Sequence, residues 1–429
     1  MFVSIDRLYD FLDQLVDEDV VIYRFYPHGS RKFSDISMLR FYPKYQDYHS
    51  VLGTIPILMH DQEPLDFDFY NNIDSREILT YMEKTCLEKV KRLQKRGTLA
   101  RAIEIQQSNN LDIFYGQHLA DCWLMCHSEK NSSELSKYQS LGATGIYWWS
   151  HAMIARDWYR YAQIDQRLTF PITNFDNDFN VYNRAWTGTR EYRLKFAEMI
   201  LQNNLLSSTS IKISEYDDNR HYRDHVFKNP KFNIDIDLSM LESYQFDPTA
   251  SADYSYKDYQ KSSIDVVLET LFDDTRIHLT EKTLRPIACG KPFIMVSTPG
   301  SLQYLRDYGF ETFGEYIDES YDRITDPFDR LQCIVKLMRD ISCLPTYKKN
   351  YLYQQLHNKA QRNKKWFWSD DFAQHVVNEF KENYQEAYAV CKQSQNGKKV
   401  LRLWEHLSHG AKSSRQEMID MIIKVKSGL

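Results

Sequence analysis

The stretch from Ile277 to Phe313 constrains the fold of this chain more than any other. A polar entry at residues 280–282 leads into a helix-like run that a break at Gly290 ends. An apolar segment from Phe293 to Val296 follows, and a Pro299-Gly300 turn precedes a second helix-like run. Because glycine and proline stand where helices and strands must stop, this succession predicts an α-β-α unit.

The two ends of this unit predict a binding crevice. In open parallel sheets, ligands bind at helix N-termini and at the carboxyl ends of strands, where free N–H groups attract phosphate. The alternative is an ordinary α-β-α unit, in which Glu281 caps the helix and Lys282 is solvated. The residues that we expect to contact a phosphorylated ligand are Thr280, Glu281, Lys282, Ser297, Gly300 and Ser301.

The order of these residues resembles the donor-binding segment of fucosyltransferase-type enzymes, which use nucleotide-sugars. It is still more similar to a group of tailed-phage glycosyltransferases, which share the string TEK…GKPF…PG…LR..GF.TF. The resemblance implies an α/β, GT-B-like fold, with two Rossmann-like domains facing a cleft and a helical C-terminal segment that crosses back. It also implies a nucleotide-sugar donor, with a UDP-sugar expected.

The acceptor is implied only by the resemblance. The phage group is similar to enzymes that decorate modified pyrimidines in phage DNA, so a hydroxymethylated pyrimidine such as hydroxymethylcytosine in double-stranded DNA is the expected acceptor. A polysaccharide or protein acceptor is an alternative. A non-catalytic nucleotide-sugar-binding module is another. The sugar, a hexose or a pentose, stays open.

A second segment carries candidate chemistry at a strand end. Residues 54–59 predict an apolar strand that delivers the polar run 60–64 at its carboxyl end. We predict Asp61 or Glu63 as the base that takes a proton from the acceptor hydroxyl, with His151 as the reserve. A polar loop with a capping aspartate is the alternative. A DQEP segment also recurs in the phage group.

Residues 20–26 predict another strand, which runs into a loop containing His28, Gly29 and Ser30. A strand followed by a glycine-containing loop resembles the first βα turn of a doubly wound domain. We therefore assign these three residues to the acceptor side, with a plain turn as the alternative.

Three arginines surround a helix that is predicted to begin near Gly188. Arg184 precedes it, Arg190 lies in its first turn, and Arg193 follows one turn later. Arginine near a helix N-terminus opposes the helix dipole. A bound diphosphate would account for it, because a guanidinium offers a bidentate fork to phosphate. Pairing with Glu191 is the alternative. The string YNR…GTREYR also marks the phage group.

Further patterns predict the organisation of the chain. Residues 264–272 predict a core strand, and Ser128 is predicted to begin a helix. Residues 165–180 are polar and turn-rich, so we place a domain boundary there. The predicted domains are an acceptor domain over 1–168, a nucleotide-sugar domain over 169–368 and a helical segment over 369–429.

Charge is distributed unevenly along the chain. The net charge of −5 argues against nonspecific coating of DNA. From Ile341 to Leu429, however, 15 Lys and Arg stand against 8 Asp and Glu, a net charge of +7. This basic C-terminal fifth is compatible with an anionic partner, although solvated helix faces explain it equally well.

Cysteine and acidic patterns predict neither disulfides nor a metal site. Seven scattered cysteines are typical of reduced thiols in a cytosol. Cys122, Cys126 and His127 have no second ligand pair. The DxD strings at 66–68 and 235–237 do not follow a long buried strand. No apolar run approaches the ~18–20 residues of a membrane span, and the acidic N-terminus is not typical of a signal peptide. We expect a cytoplasmic enzyme, in the host cell if phage-encoded, without a membrane partner.

Overall fold

The computed structural model describes residues 5–18, 20–25, 36–38, 55–67, 123–140, 142–169, 175–243 and 251–395. The chain divides into two compact units. The N-terminal unit consists of Asp6–Ser150 with Val377–Leu429, and the central unit of Met1–Ile5 with His151–Val376. The first boundary lies before the predicted one at 168, and the second lies after the predicted one at 368.

The described strands of the N-terminal unit form one five-stranded sheet in the order β2-β1-β3-β4-β5. Four of them run parallel, and only the edge strand β2 pairs antiparallel, with β1. Carboxyl ends of parallel strands meet at one edge, and Asp61 directly follows β3 at that edge. The strands are β1 Val20–Phe25, β2 Ile36–Met38, β3 Ile55–His60, β4 Trp123–His127 and β5 Ala143–Tyr147.

The helices described in the N-terminal unit are α1 Ile5–Asp13, α2 Leu135–Gln139 and the second part of α10 Asp370–Gln395. Polar contacts attach α10 to this unit. The hydroxyl of Tyr384 donates to Asp17 Oδ2 at 2.8 Å, and the amide of Asn383 donates to the carbonyl of Tyr147 at 2.8 Å. The helical C-terminal segment therefore packs with the N-terminal sheet.

The central unit contains an all-parallel sheet in the order β10-β7-β6-β11-β12. Numbered along the chain, this is the 3-2-1-4-5 order of Rossmann sheets, in which the crevice opens where the order reverses, here between β6 and β11. A small hairpin of β8 Tyr216–Asp217 and β9 Arg220–His221 follows β7. The sheet strands are β6 Asn177–Asn183, β7 Thr209–Ile213, β10 Glu242–Ser243, β11 Ser262–Leu268 and β12 Phe293–Val296.

The predicted α-β-α unit is confirmed by two helices that flank β12. Thr280 caps the first helix, and Gly290 ends it with a φ of 74°, a left-handed value that glycine adopts without strain. The α/β class and the parallel strands are confirmed with it. These two helices are α6 Glu281–Cys289 and α7 Ser301–Asp307. The other helices described in the central unit are α3 Ser150–Trp158, α4 Tyr192–Gln202, α5 Tyr256–Lys261, α8 Pro327–Ser342 and α9 Thr346–Phe367.

The carboxylate of Glu269 connects the end of β11 to the start of α6. Oε1 accepts from the backbone N–H groups of Thr280 (3.1 Å) and Thr283 (3.2 Å) and from the Thr283 hydroxyl (2.6 Å). Oε2 accepts from the Thr280 hydroxyl (2.8 Å) and from the N–H of Thr270 (3.2 Å). Glu269 is fully buried. One side chain thus satisfies two of the N–H groups that every helix leaves without a partner at its start.

The structure corrects one predicted turn region. The stretch 165–180 contains the beginning of β6, a central strand, although its sequence is polar and turn-rich. Buried polar side chains of β6 have partners in other elements. Asn180 donates to Asp265 at 2.7 Å, and Asn183 donates to the carbonyl of Arg193 at 2.8 Å. Polar residues can occupy a core strand here because the tertiary structure supplies those partners.

Three element boundaries are also corrected. The strand predicted over 264–272 ends at Leu268, where the chain turns so that Glu269 can meet α6. The helix predicted from Ser128 begins only at Leu135. The helix predicted from near Gly188 begins at Tyr192, after a short 3-10 turn.

Cys391 is disulfide-bonded, so the prediction of reduced thiols is wrong for this residue. Four other cysteines are free: Cys126, Cys289, Cys333 and Cys343. Among the described residues, no helix combines the length and apolar character needed to cross a membrane.

Replacing Glu269 tests its role in the central unit. Glu269→Gln keeps the size of the side chain but leaves at least one buried donor without an acceptor. We expect a loss of roughly 2 kcal/mol or more in the free energy of unfolding, measured by urea denaturation. Glu315→Gln, at a side chain that is 65% exposed, is the control and should change stability by less than ~0.5 kcal/mol. Equal stability of the two variants would contradict this role.

Candidate functional site

Two clusters that contain predicted residues lie at carboxyl edges of parallel strands, one in each unit. The helix-start cluster of the central unit comprises His151, Thr280, Glu281 and Lys282. The strand-end cluster of the N-terminal unit comprises Tyr9, Asp61 and Gln62.

In the helix-start cluster, the ammonium of Lys282 lies beside the first turn of α6. Lys282 Nζ is 2.9 Å from Glu281 Oε1 and donates to Thr280 Oγ1 at 3.2 Å. The hydroxyl of Thr280 also accepts from the Lys282 N–H at 3.3 Å. The side chain of Lys282 is 27% exposed, so its charge remains accessible to a ligand.

The structure brings His151 to the same helix start. His151 Nδ1 is 3.8 Å from Glu281 Oε2, and the His151 ring packs edge-on against His278, with centroids 5.1 Å apart. Burial would raise the pKa of Glu281, but the electrostatic effect of Lys282 and His151 beside it outweighs burial, and the pKa of this carboxyl is lowered. Glu281 is therefore an ionised, acceptor-only group at neutral pH.

The three arginines have different environments. Arg193 is buried and donates to the carbonyls of Ala185 (2.6 Å), Leu268 (2.6 Å) and Glu269 (2.9 Å). The prediction that its guanidinium contacts the donor is therefore corrected, because these carbonyls occupy it. Arg193 instead supports the carboxyl end of β11.

Arg184 and Arg190 lie nearer to the edge of the sheet. Arg184 follows β6 directly and donates to the hydroxyl of Ser251. Arg190 is half-buried and ends a 3-10 turn in which the Thr189 hydroxyl donates to the carbonyl of Thr270 at 2.9 Å. This turn therefore lies against the carboxyl end of β11.

The hydroxyls of the predicted turn after β12 are engaged inside the turn. Ser301 Oγ donates to the carbonyl of Thr298 at 2.7 Å and lies 2.9 Å from Ser297 Oγ, and both serines are buried. Gly300 has a φ of 82°, and a Cβ at this position would lie 3.7 Å from Ile277 Cδ1. The serines thus shape the turn, and Gly300 lies against the loop that leads to Thr280.

In the strand-end cluster, Asp61 is buried with one of its two oxygens satisfied. Its side chain accepts at Oδ1 from the Tyr9 hydroxyl at 3.2 Å, and Oδ2 has no hydrogen-bond partner among the described residues. The Asp61 carbonyl accepts from the hydroxyls of Ser128 (2.8 Å) and Ser150 (2.7 Å), which fixes the backbone. Burial raises the pKa of Asp61 to about 6.

A small pocket opens at this carboxylate. Its volume is about 10 Å³, close to the least space that holds one water molecule or one hydroxyl group. Both predicted base residues line it, with Glu63 half-buried and Asp61 1% exposed. Tyr9, Phe25, His60 and Gln62 also line it.

The remaining site predictions give no further site. His28, Gly29 and Ser30 lie outside the described residues. Within the described part of the chain, no group of three or more His, Cys, Asp or Glu could hold a metal ion. Asp237 of one DxD string accepts from Tyr222 at 2.7 Å and pairs with Arg223 at 2.8 Å.

The sequence interpretation missed Glu269, His278, Tyr9 and Gln62. Glu269 left a signal, because it is the first residue after an apolar strand and carries a charge. Tyr9 left none, since it lies 52 positions before Asp61 and is joined to it only by the fold.

No family model matches the chain, and no curated protein or solved structure matches it either.

The raised pKa of Asp61 predicts a pH-dependent stability. The folded pKa of about 6 exceeds the ordinary value of 3.8, so the native state binds more protons between these values and loses stability as the pH rises through them. Asp61→Asn removes the carboxylate and therefore its negative charge at high pH. At pH 8 we expect it to be more stable than the wild type by about 3 kcal/mol, from ~2 pKa units.

The extra stability of Asp61→Asn should vanish near pH 4, as measured by denaturant unfolding at pH 4 and pH 8. Glu18→Gln, at an exposed position of the same unit, serves as the control. An Asn variant that is less stable at pH 8 would show that the ionised carboxylate has partners that satisfy it.

Proposed function

We propose that this protein is a nucleotide-sugar glycosyltransferase with a GT-B-like pair of Rossmann-like domains. The observation that carries the proposal is the start of α6 at the carboxyl edge of the all-parallel central sheet, where Lys282 lies beside the first turn. The backbone N–H groups of Thr280, Lys282 and Thr283 already have acceptors in Glu269 and Thr280. The accessible ammonium of Lys282, at the positive end of the helix dipole, is therefore the group that suits the diphosphate of a nucleotide-sugar.

The central unit supplies the donor site in this proposal. Lys282 offsets the charge that develops on the leaving diphosphate, and Arg190 and Arg184 are the further cations at this edge. Glu281, being ionised, accepts hydrogen bonds from hydroxyls of the ribose or the sugar. A UDP-sugar is the proposed donor.

The N-terminal unit supplies the base. The acceptor oxygen attacks the anomeric carbon, the bond from that carbon to the diphosphate breaks, and the acceptor proton passes to Asp61. A base works best when its pKa lies near the operating pH, and the pKa of about 6 meets that condition. Glu63 and His151 are the other candidates for this role.

The proposed acceptor is a hydroxymethylated pyrimidine in double-stranded DNA. The described part of the basic C-terminal fifth includes α9, which contains six Lys and Arg and no Asp or Glu. Lys348 and Lys365 are exposed, and Tyr347 and Tyr351 are 70% and 64% exposed. Such a face favours contacts with the phosphate backbone. The target base would leave the stack to react.

Single substitutions separate donor binding from chemistry. We expect Lys282→Ala to weaken donor binding roughly tenfold or more, because a charge-assisted contact to phosphate is lost. Asp61→Asn should lower kcat by ~10²–10⁴ and leave donor affinity unchanged. Calorimetry with UDP-sugars and a transfer assay measure the two effects.

Lys336→Ala is the control, since its side chain is 65% exposed and lies on α8. Unchanged donor affinity of Lys282→Ala would remove the donor assignment. Near-normal kcat of Asp61→Asn would move the base to Glu63 or His151. Binding of the donor without its turnover, with or without acceptor, would identify a binding module instead of an enzyme.

The acceptor is tested with hydroxymethylated and plain DNA duplexes. Replacing Lys348 and Lys365 by Glu should weaken DNA binding and reduce the slope of log K against log salt by about two, at ~0.9 per lost phosphate contact. Donor affinity should not change. Lys336→Glu is the matched control. Transfer to a polysaccharide and not to hydroxymethylated DNA would contradict the DNA acceptor.

A further inference from the structure

The strand-end cluster contains a hydrogen-bond chain whose direction is fixed by its chemistry. Gln62 Nε2 donates to the Tyr9 hydroxyl oxygen at 2.8 Å, and the Tyr9 hydroxyl donates to Asp61 Oδ1 at 3.2 Å. An amide nitrogen can only donate, and a phenol has one proton. Because Tyr9 accepts from Gln62, its proton is directed to Asp61.

This direction distinguishes the two oxygens of Asp61. Oδ1 receives the Tyr9 proton and therefore acts as an acceptor. Oδ2 is buried and has no hydrogen-bond partner among the described residues, and the side chain that carries it lines the pocket. A proton taken up by Asp61 is best accommodated on the oxygen that has no donor beside it.

We infer that the Gln62–Tyr9 chain makes Oδ2 of Asp61 the oxygen that accepts and releases the acceptor proton, with Tyr9 and Gln62 as positioning residues. This inference rests on the proposed role of Asp61 as the base. It adds that an acceptor hydroxyl must approach Oδ2, so that Oδ1 keeps the bond to Tyr9 throughout the transfer.

The surroundings keep Tyr9 a donor. Burial raises the pKa of the Tyr9 phenol well above its usual value, and the charge of Asp61 raises it further, so the proton stays on the ring oxygen at working pH. The guanidinium of Arg24 lies 5.2 Å from the centroid of the Tyr9 ring. The hydrogen bond from Tyr9 in turn lowers the pKa of Asp61 against the larger effect of burial.

Gln62→Glu adds a carboxyl beside Asp61, and its like charge also raises the pKa of Asp61. The other titratable groups near the Gln62–Tyr9–Asp61 hydrogen bonds are the same in every variant considered below. They are Arg24 on β1, His60 and Glu63 beside Asp61, Cys126 and His127 on β4, and Glu379 on α10. Burial lowers the pKa of His127 to about 4, so this residue is neutral over the range of the test.

The test compares three variants in the full-length protein. Tyr9→Phe removes the donor to Oδ1. Gln62→Glu offers a carboxylate that accepts the Tyr9 proton and so reverses the chain. Gln62→Met keeps the size of the side chain and leaves Tyr9 able to donate to Asp61. Two readouts are used: the pH profile of kcat/KM for transfer, and the infrared titration of the carboxyl band that Asp61→Asn removes.

In Tyr9→Phe and Gln62→Glu, we expect the acidic limb of the kcat/KM profile and the titration of the Asp61 carboxyl to move to higher pH by about one unit. This is the size expected when an ionised carboxylate loses a hydrogen bond. Gln62→Met should move them less. A shift in Gln62→Met as large as in Gln62→Glu, or no shift in Tyr9→Phe, would overturn the inference. If Tyr9→Phe does not fold, Gln62→Met decides, because a shift of about one unit in it would overturn the inference and a smaller shift would support it.

The outcomes separate this inference from the proposed function. If Asp61→Asn abolishes transfer while the limb stays in place in Tyr9→Phe and Gln62→Glu, Asp61 is the base and the chain does not position it. If Asp61→Asn retains transfer, the proposed base is wrong, and an unmoved carboxyl titration in Tyr9→Phe would overturn the chain as well.

Discussion

The hydrogen bonds that Glu269 accepts are the interaction on which the central unit depends. Its carboxylate ends β11, determines where α6 begins and orders the intervening loop at Thr270 and Thr280. The positions of Glu281 and Lys282 follow from that start, because they are the first two residues of the helix. Arg193 supports the same strand end from the side of α4 through the carbonyls of Leu268 and Glu269.

Glu269 and Asp61 occupy equivalent places, each one residue beyond a parallel strand, and yet they have different roles. Glu269 receives five hydrogen bonds, so neither of its oxygens is available to a ligand. Asp61 receives one side-chain hydrogen bond from Tyr9 and keeps one oxygen without a partner. The number of donors that the fold delivers decides which carboxylate is structural and which can do chemistry.

In the helix-start cluster, too, neighbouring residues decide the state of a carboxyl group. Glu281 stays ionised although it is buried, because Lys282 and His151 lie beside it. A buried carboxylate beside an accessible ammonium presents both an acceptor and a cation at one helix start. That combination is what a ligand with hydroxyls and phosphates requires, and it is the basis of the proposed donor site.

The sequence predicts the α6-β12-α7 succession without any tertiary contact, because Thr280, Gly290 and Gly300 act through local backbone geometry. It also determined that Asp61 directly follows a buried strand. Local signals sufficed there, since caps and turns depend only on neighbouring residues. The predicted cluster of Glu281 and Lys282 belongs to this class.

Only the tertiary structure decided the rest. The polar strand β6 is a core strand because Asp265 and the carbonyl of Arg193 accept from its asparagines. Arg193 is structural because three carbonyls converge on it, and Tyr9 meets Asp61 across 52 positions of sequence. Each of these depends on partners in other parts of the fold, and a buried polar group has no fixed role until its partners are known.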